Sequence, residues 1–243
     1  MRLDKILADS GFGTRSEVRK LIVRGNAVIN GKIIRDASFK VSPEDDLTCF
    51  GKPVKIHEGK TYYYLLFDKP DEVLTAMEDS RLGCVGDHVE DRYKNRGVSP
   101  VGRLDYHTTG LLILTNDGEL SHRLTSPSYG IPKTYMVCFE GTPLTDEDIA
   151  KAASGITLTD TDSPVRLKPC EITREGENRA KIILTEGKTH EVRRIMAHFG
   201  KEVISLRRTG IASLFLEERS VPGDLRELTS EEILLLKQAV RLD

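Results

Sequence analysis

Pro100-Val101-Gly102-Arg103-Leu104-Asp105-Tyr106-His107-Thr108-Thr109-Gly110-Leu111-Leu112-Ile113-Leu114-Thr115-Asn116-Asp117-Gly118 governs how the larger part of this chain is read. Leu111 to Leu114 is short and wholly apolar, the pattern of a strand buried on both faces. Ahead of it, Gly102, Gly110 and the Thr108-Thr109 pair bracket one carboxylate, Asp105, in a loop at a sheet edge. An Asp so placed can be a nucleophile, a base or a turn former. The last is the commonest, because Asp readily hydrogen-bonds its own backbone. Asp117-Gly118 reads as a tight turn leading into a helix.

Working outward, Tyr62 to Phe67 and Lys133 to Glu140 are strand-like. In Arg179 to Leu184, Ala180, Ile182 and Leu184 alternate with Lys181 and Ile183, as in a strand with one buried face. Thr145 caps a helix running to Ala153, with Gly155 beyond its end. Val192, Ile195, Met196 and Phe199 fall at i, i+3, i+4 and i+7, a helical core stripe closed by Gly200. Thr229-Ser230-Glu231-Glu232 caps a final Leu-rich helix. Strands interrupted by a few helices predict an α+β domain with a mixed, mostly antiparallel sheet.

A second candidate site is Thr185 to Arg194. On the predicted helix His190, Arg193, Arg194 and Ala197 share a face. Residues 186–208 hold six Lys/Arg against three acids, a local excess suited to phosphate. His190 and His198 are eight apart without a third ligand nearby, so no metal site is expected. Tyr135, in Lys133-Thr134-Tyr135, reads locally as a packing residue with its hydroxyl at the surface.

The first 60 residues differ in character. Leu3, Ile6 and Leu7 give a short amphipathic helix, and Gly11 and Gly13 break it. Thr14-Arg15-Ser16-Glu17 fits a capping box for a second helix through Val18, Leu21 and Ile22, with Gly25 as its C-terminal cap. Val28-Ile29-Asn30-Gly31-Lys32-Ile33-Ile34 is a hairpin signal, and Asp46 to Phe50 suits a further strand. Arg15 and Arg19 share one helix face, as do Lys20 and Arg24. Few aromatics interleave with them, which suits phosphate contact rather than base stacking; a solvated helix face is the alternative. Residues 51–61 are polar, with two Gly and one Pro, and read as a hinge. The expected domains are therefore 1–58 and 59–243.

The 243 residues suit one large domain or a medium one with a small appendage. With 38% hydrophobic and 30% charged residues, disordered, collagen-like and disulfide-scaffold classes are excluded. No apolar run approaches the roughly 20 residues of a membrane span, and no signal-peptide pattern opens the sequence. Cys49, Cys84, Cys138 and Cys170 form no CxxC pair, so reduced thiols in a cytoplasm are expected. The net charge of −2 hides an asymmetry: residues 1–60 carry 12 Lys/Arg against 8 Asp/Glu, and the remainder 24 against 30.

Residues 1–48 resemble an S4 domain, on Arg2-Leu3-Asp4-Lys5, Thr14-Arg15-Ser16-Glu17 and Gly25-Asn26-Ala27-Val28-Ile29-Asn30-Gly31. That resemblance implies helices that grip structured RNA, with Arg2, Arg15, Arg19, Lys20 and Arg24 as the RNA-binding set. Nearly the whole chain resembles the RsuA-type ribosomal RNA pseudouridine synthases. The matching pieces are Lys69-Pro70, Gly102-Arg103-Leu104-Asp105, Thr108-Thr109-Gly110-Leu111, Leu114-Thr115-Asn116-Asp117-Gly118, Lys133-Thr134-Tyr135, Glu186 to Arg194 and Leu206-Arg207-Arg208.

The resemblance implies that a uridine in ribosomal RNA, or in an assembling ribosomal subunit, is isomerised to pseudouridine. Such a base must leave its stack to be reached. Asp105 matches the catalytic aspartate, Tyr135 the active-site tyrosine, and Arg193 the basic residue that pairs with the aspartate. Leu206 would line the uracil pocket. Arg103, Lys133, His190 and Arg194 would bind the substrate. The reaction calls for no cofactor and no metal. Within the family, the compact length and the absence of a basic C-terminal tail look more like the small-subunit enzyme, a resemblance that implies uridine 516 of 16S rRNA as the target. The alternatives are a 23S rRNA target, or a non-catalytic RNA-binding assembly protein. A monomer without membrane association is expected. The sequence departs from the family's pattern at His107 (often Asp), Glu72 (a glycine), Glu191 (commonly Gln) and Arg193 (commonly Lys); His107 and Glu72 bear on substrate fit rather than chemistry.

Overall fold

The computed structural model describes residues 1–56, 61–160 and 163–242. The chain divides into two compact units, Met1–Tyr63 with Val89–Val98, and Tyr64–His88 with Ser99–Asp243. The expected boundary at 58/59 lies outside the described residues.

In the first unit, α1 (Leu3–Asp9) precedes α2 (Arg15–Val23). The capping box forms: Glu17 N–H donates to Thr14 Oγ1, and Thr14 N–H donates to the Glu17 carboxylate. Strands β1 (Ala27–Ile29), β2 (Lys32–Ile34), β3 (Leu47–Cys49) and β4 (Lys52–Pro53) build a sheet of order β2-β1-β3-β4. Asn30 and Gly31 turn the hairpin with φ of 49° and 75°, the two left-handed residues that such a tight turn requires. Leu3, Leu7, Val18, Ile22, Leu47 and Cys49 make its core; burying an aliphatic side chain of this size contributes about 1.5–3 kcal/mol. Lys52 and Pro53 pair with β3, so the start of the predicted hinge is strand. Backbone pairing overrides the turn signal of Gly51 and Pro53, since a proline is tolerated on an edge strand. A short helix, α3 (Asp91–Lys94), also belongs to this unit.

The second unit is a nine-stranded sheet with helices. In chain order its elements are β5 (Tyr64–Lys69), β6 (Ser99–Pro100), β7 (Thr108–Thr115), α4 (Gly118–Thr125), β8 (Lys133–Glu140), α5 (Asp146–Ser154), β9 (Thr157–Leu158) and β10 (Val165–Arg166). Then come β11 (Glu171–Gly176), β12 (Arg179–Leu184), α6 (Glu191–His198), β13 (Glu202–Ile211), β14 (Leu214–Phe215), β15 (Leu225–Glu227) and α7 (Ser230–Ala239). The sheet runs β11-β12-β8-β13-β7-β5-β15, with β14 on β13 and β6 on β7; β9 and β10 form a separate pair. Every pair is antiparallel except β7 with β13, where Leu206 lies beside Thr108 and Arg208 beside Gly110. The predicted α+β, mostly antiparallel architecture is the observed one.

Two apolar clusters fill this unit. One joins Val137, Ile182 and Leu206 to the α6 stripe Val192, Ile195 and Met196. The other joins Leu111 and Ile113 of β7 to Leu120 and Leu124 of α4 and Leu236 of α7. The strand predicted at Leu111–Leu114 starts earlier, at Thr108, because Gly110 lets β13 approach. Its φ is 100°, and a Cβ there would lie 2.2 Å from the Arg208 carbonyl oxygen. Asp117 is a helix cap rather than a turn residue: its carboxylate accepts from Leu120 N–H and from the Tyr64 hydroxyl.

Candidate active site

The loop between β6 and β7 carries Asp105, and three contacts set its shape. Val101 N–H donates to Ile113 O, which zips the loop's start onto β7. The Thr75 hydroxyl donates to Leu104 O at 2.7 Å and accepts from Leu104 N–H. Lys69, fully buried at the end of β5, donates Nζ to the carbonyls of Pro70, Tyr106 and Thr108 at 2.9, 3.1 and 3.0 Å. Burial pulls the Lys69 ammonium down to about 8; the nearby Asp71 and Asp105 charges pull the other way. A loop braced from both sides holds Asp105 where few conformations compete. Sequence pattern alone assigns Lys69 and Thr75 no role. The signal for Lys69 is its place at the end of the apolar strand Leu65-Leu66-Phe67, since lysine is almost never fully buried without partners.

Asp105 is 38% exposed, and its Oδ1 lies 3.6 Å from His190 Nε2. His190 does not lie on the helix. It is the N-cap of α6 in the left-handed region, φ 51° and ψ 30°. The predicted helical face of His190, Arg193, Arg194 and Ala197 is therefore corrected at its first member. Glu191 is the reason: its carboxylate accepts from Lys188 N–H at 2.7 Å and folds the chain into a cap before the helix begins. A left-handed histidine is strained, and strain of this kind collects at functional sites.

Arg193 does not form the anticipated ion pair with Asp105. Its guanidinium donates to Val203 O at 3.2 Å and His107 O at 3.1 Å, so it ties α6 to β13 and to the residue two beyond Asp105. Arg194 turns away into a bidentate pair with Asp160, both contacts 2.7 Å. Of the two arginines, Arg193 lines a cavity with Asp105, while Arg194 is engaged by Asp160.

Two cavities meet at Asp105, His190 and Leu206. One, of about 480 Å³, is lined by Arg103, Thr108, Lys133, Tyr135, Glu191 and Arg208 as well. The other, of about 550 Å³, adds Asp71, His107, Arg193 and Ile204. Both are of a size usual for small-molecule sites. Tyr135 and Leu206 face this space from β8 and β13, while Arg103 stands exposed at its rim. Lys133 is held lower than an ordinary lysine by burial and by the Arg208 charge; its Nζ reaches Ile131 O and Glu186 O. The His107 ring meets Asp71 Oδ1 at 3.1 Å. Glu72 adopts φ 56°, a conformation in which glycine is at ease and glutamate is strained.

In the first unit, buried Asp4 gathers Arg2, Arg15 and Arg19 at 3.0, 3.6 and 3.3 Å. The hydrogen bond from Arg2 leads the causes that hold this carboxyl at about 2. Lys20 and Arg24 stand exposed on α2 and its cap.

An acidic side chain on a braced loop, an aromatic and an apolar wall, and a basic rim make a cavity with the chemistry to receive a flat ring carried on an anionic chain. Residues 63–198 match the RNA pseudouridylate synthase model, and residues 1–47 match the S4 domain. The chain belongs to the RNA pseudouridine synthase family, isomerases, in the branch that carries an S4 domain. It is 37% identical to an uncharacterized RNA pseudouridine synthase of Bacillus subtilis, over 98% of this chain and 99% of that one. It is 35% identical to the ribosomal large subunit pseudouridine synthase B of Bacillus subtilis, over 97% of this chain and 95% of that one. Identity to the ribosomal small subunit pseudouridine synthase A of Yersinia pestis is 33%, over 96% and 97%. A crystal structure of a pseudouridylate synthase aligns with a TM-score of 0.66 and 32% identity, covering 97% of this chain and 99% of that one.

Proposed function

We propose that this enzyme converts a specific uridine of ribosomal RNA to pseudouridine, with uridine 516 of 16S rRNA as the target and Asp105 as the nucleophile. The observation that carries the reading is the cavity that gathers Asp105, Tyr135 and Leu206 in a chain of this family. The flipped uridine would stack on Tyr135 and lie against Leu206, with Arg103 and Lys133 near its backbone. Asp105 then attacks as the carboxylate. Arg193, which lines the adjoining cavity with Asp105, steadies the loop through His107 O. Tyr135 would receive the C5 proton. His190 contacts Asp105 and the substrate together.

Large-subunit rRNA is the second reading, favoured by the 35% identity to a large-subunit enzyme. Carbodiimide mapping of pseudouridine in 16S and 23S rRNA, from cells with and without the protein, separates the two. The expected result is one 16S signal that disappears with the protein and is not restored by Asp105→Asn, while the variant still binds the RNA. A signal restored by Asp105→Asn overturns the assignment of the nucleophile.

A further inference from the structure

Two residues that line the Asp105–Tyr135 cavity each keep a side-chain polar atom buried without a hydrogen-bond partner among the described residues, Thr108 Oγ1 and Arg208 Nη2. The two residues are 2% and 3% exposed. A polar atom buried unpaired is destabilising, and a charged one more so, which is why native proteins keep few of them. Arg208 cannot easily relieve this by swinging outward, since its Nε is committed to Leu111 O at 2.8 Å. Arg208 lies opposite Tyr135 in the β8–β13 register, and Thr108 lies beside Leu206 in the β7–β13 register. Both therefore stand next to the residues that would enclose the base.

We propose that these two atoms bind the edge of the flipped uracil, Arg208 donating to a carbonyl oxygen and Thr108 Oγ1 accepting from N3–H. The assignment rests on the uridine isomerisation proposed above. In that reaction the N1–C1′ bond breaks and a C5–C1′ bond forms. C5 gives up a proton and N1 gains one, so no oxidant or reductant is needed. C5 must arrive where N1 had been. A half-turn about the N3–C6 axis does this: it exchanges N1 with C5 and O2 with O4, and leaves N3–H in place. A donor at one carbonyl position and an acceptor at N3–H therefore meet the same pattern before and after the turn. Cytosine fails, because its amino group and carbonyl would exchange places. In one of the two orientations an amino group faces the Arg208 guanidinium, and N3 carries no proton for Thr108. The same pair of groups holds uracil as it turns and rejects cytosine.

The test uses the full-length protein and a single-site RNA with uridine, cytidine or 2-pyrimidinone riboside at the modified position. Dissociation constants are compared for wild type, Arg208→Met and Thr108→Val, with thermal melts to confirm folding. Wild type should prefer uridine by about tenfold or more, the factor that the loss of one hydrogen bond carries. Either substitution should bring the three RNAs within about threefold of each other. If a folded variant binds all three RNAs more weakly by one common factor, the groups only brace the sheet and the proposal is overturned. Should Arg208→Met fail to fold, the nearly isosteric Thr108→Val decides. Tritium release from 5-tritiated uridine in 16S and 23S rRNA reads wild-type activity separately. Its absence overturns the functional reading and this assignment together, whereas activity with an undiminished uridine preference in the variants overturns this assignment alone.

Discussion

Glu191 is buried beside Glu186 under the cavity, and burial first of all raises its carboxyl to about 7. A carboxyl with a folded value above its unfolded one takes up protons on folding between about 4.5 and 7. Its contribution is therefore most favourable below the unfolded value, and is lost as pH rises through about 7. Glu191→Gln keeps an acceptor for Lys188 N–H and removes the charge. It should stabilise the protein by about 1–3 kcal/mol at pH 8 and change little at pH 4.5. Urea unfolding at the two pH values measures this, and an equal shift at both would show that the charge is not responsible. The same carboxylate folds His190 into its left-handed cap, so Gln there should leave His190 within reach of Asp105. Sequence pattern places His190 on a helix because periodicity cannot register a positive φ. It singles out Asp105 and Tyr135 only through their resemblance to a family, since a loop Asp and a strand Tyr have commoner structural uses.

Local signals in the elements were legible and distant ones were not. The capping boxes at Thr14 and Thr229 and the cap at Thr145 form as their sequences imply, because each is settled within four residues. The strand alternation of β12 and the core stripe of α6 also hold. What could not be read is the parallel pairing of β7 with β13, a register between residues about a hundred positions apart. That pairing brings Thr108 and Arg208 to one wall, and it depends on Gly110. Any side chain there meets the Arg208 backbone and a left-handed φ together. Gly110→Ala should force β13 off β7 and destabilise the protein by about 2–4 kcal/mol. In whatever fraction folds, pseudouridine formation should fall more than tenfold. Thermal melts and tritium release report the two effects; a variant with unchanged melting would mean that the strands are free to separate without cost.

At the scale of the whole molecule, the net charge of −2 is a sum over unlike parts, and RNA affinity depends on where the cations stand. Arg2, Arg15 and Arg19 direct part of their charge to Asp4. Lys20 and Arg24 are exposed and belong to the unit that matches the S4 domain, whereas Asp105 and its cavity belong to the other. Holding RNA and changing a base should then be separable by substitution. Lys20→Gln with Arg24→Gln should raise KM for ribosomal RNA several-fold and leave kcat at saturating RNA unchanged. Removing one cation from a phosphate lowers the slope of log affinity against log salt by about 0.7 for single-stranded and 0.9 for double-stranded RNA, if RNA duplexes follow the value for DNA. The double variant should therefore have a slope shallower by up to about 1.4–1.8, with melting unaffected because neither side chain is buried. Filter binding across a salt series gives the slope, and tritium release gives kcat and KM. A fall in kcat with an unaltered slope would place these two cations in the chemistry instead of the grip, and the division of labour between the two units would be wrong.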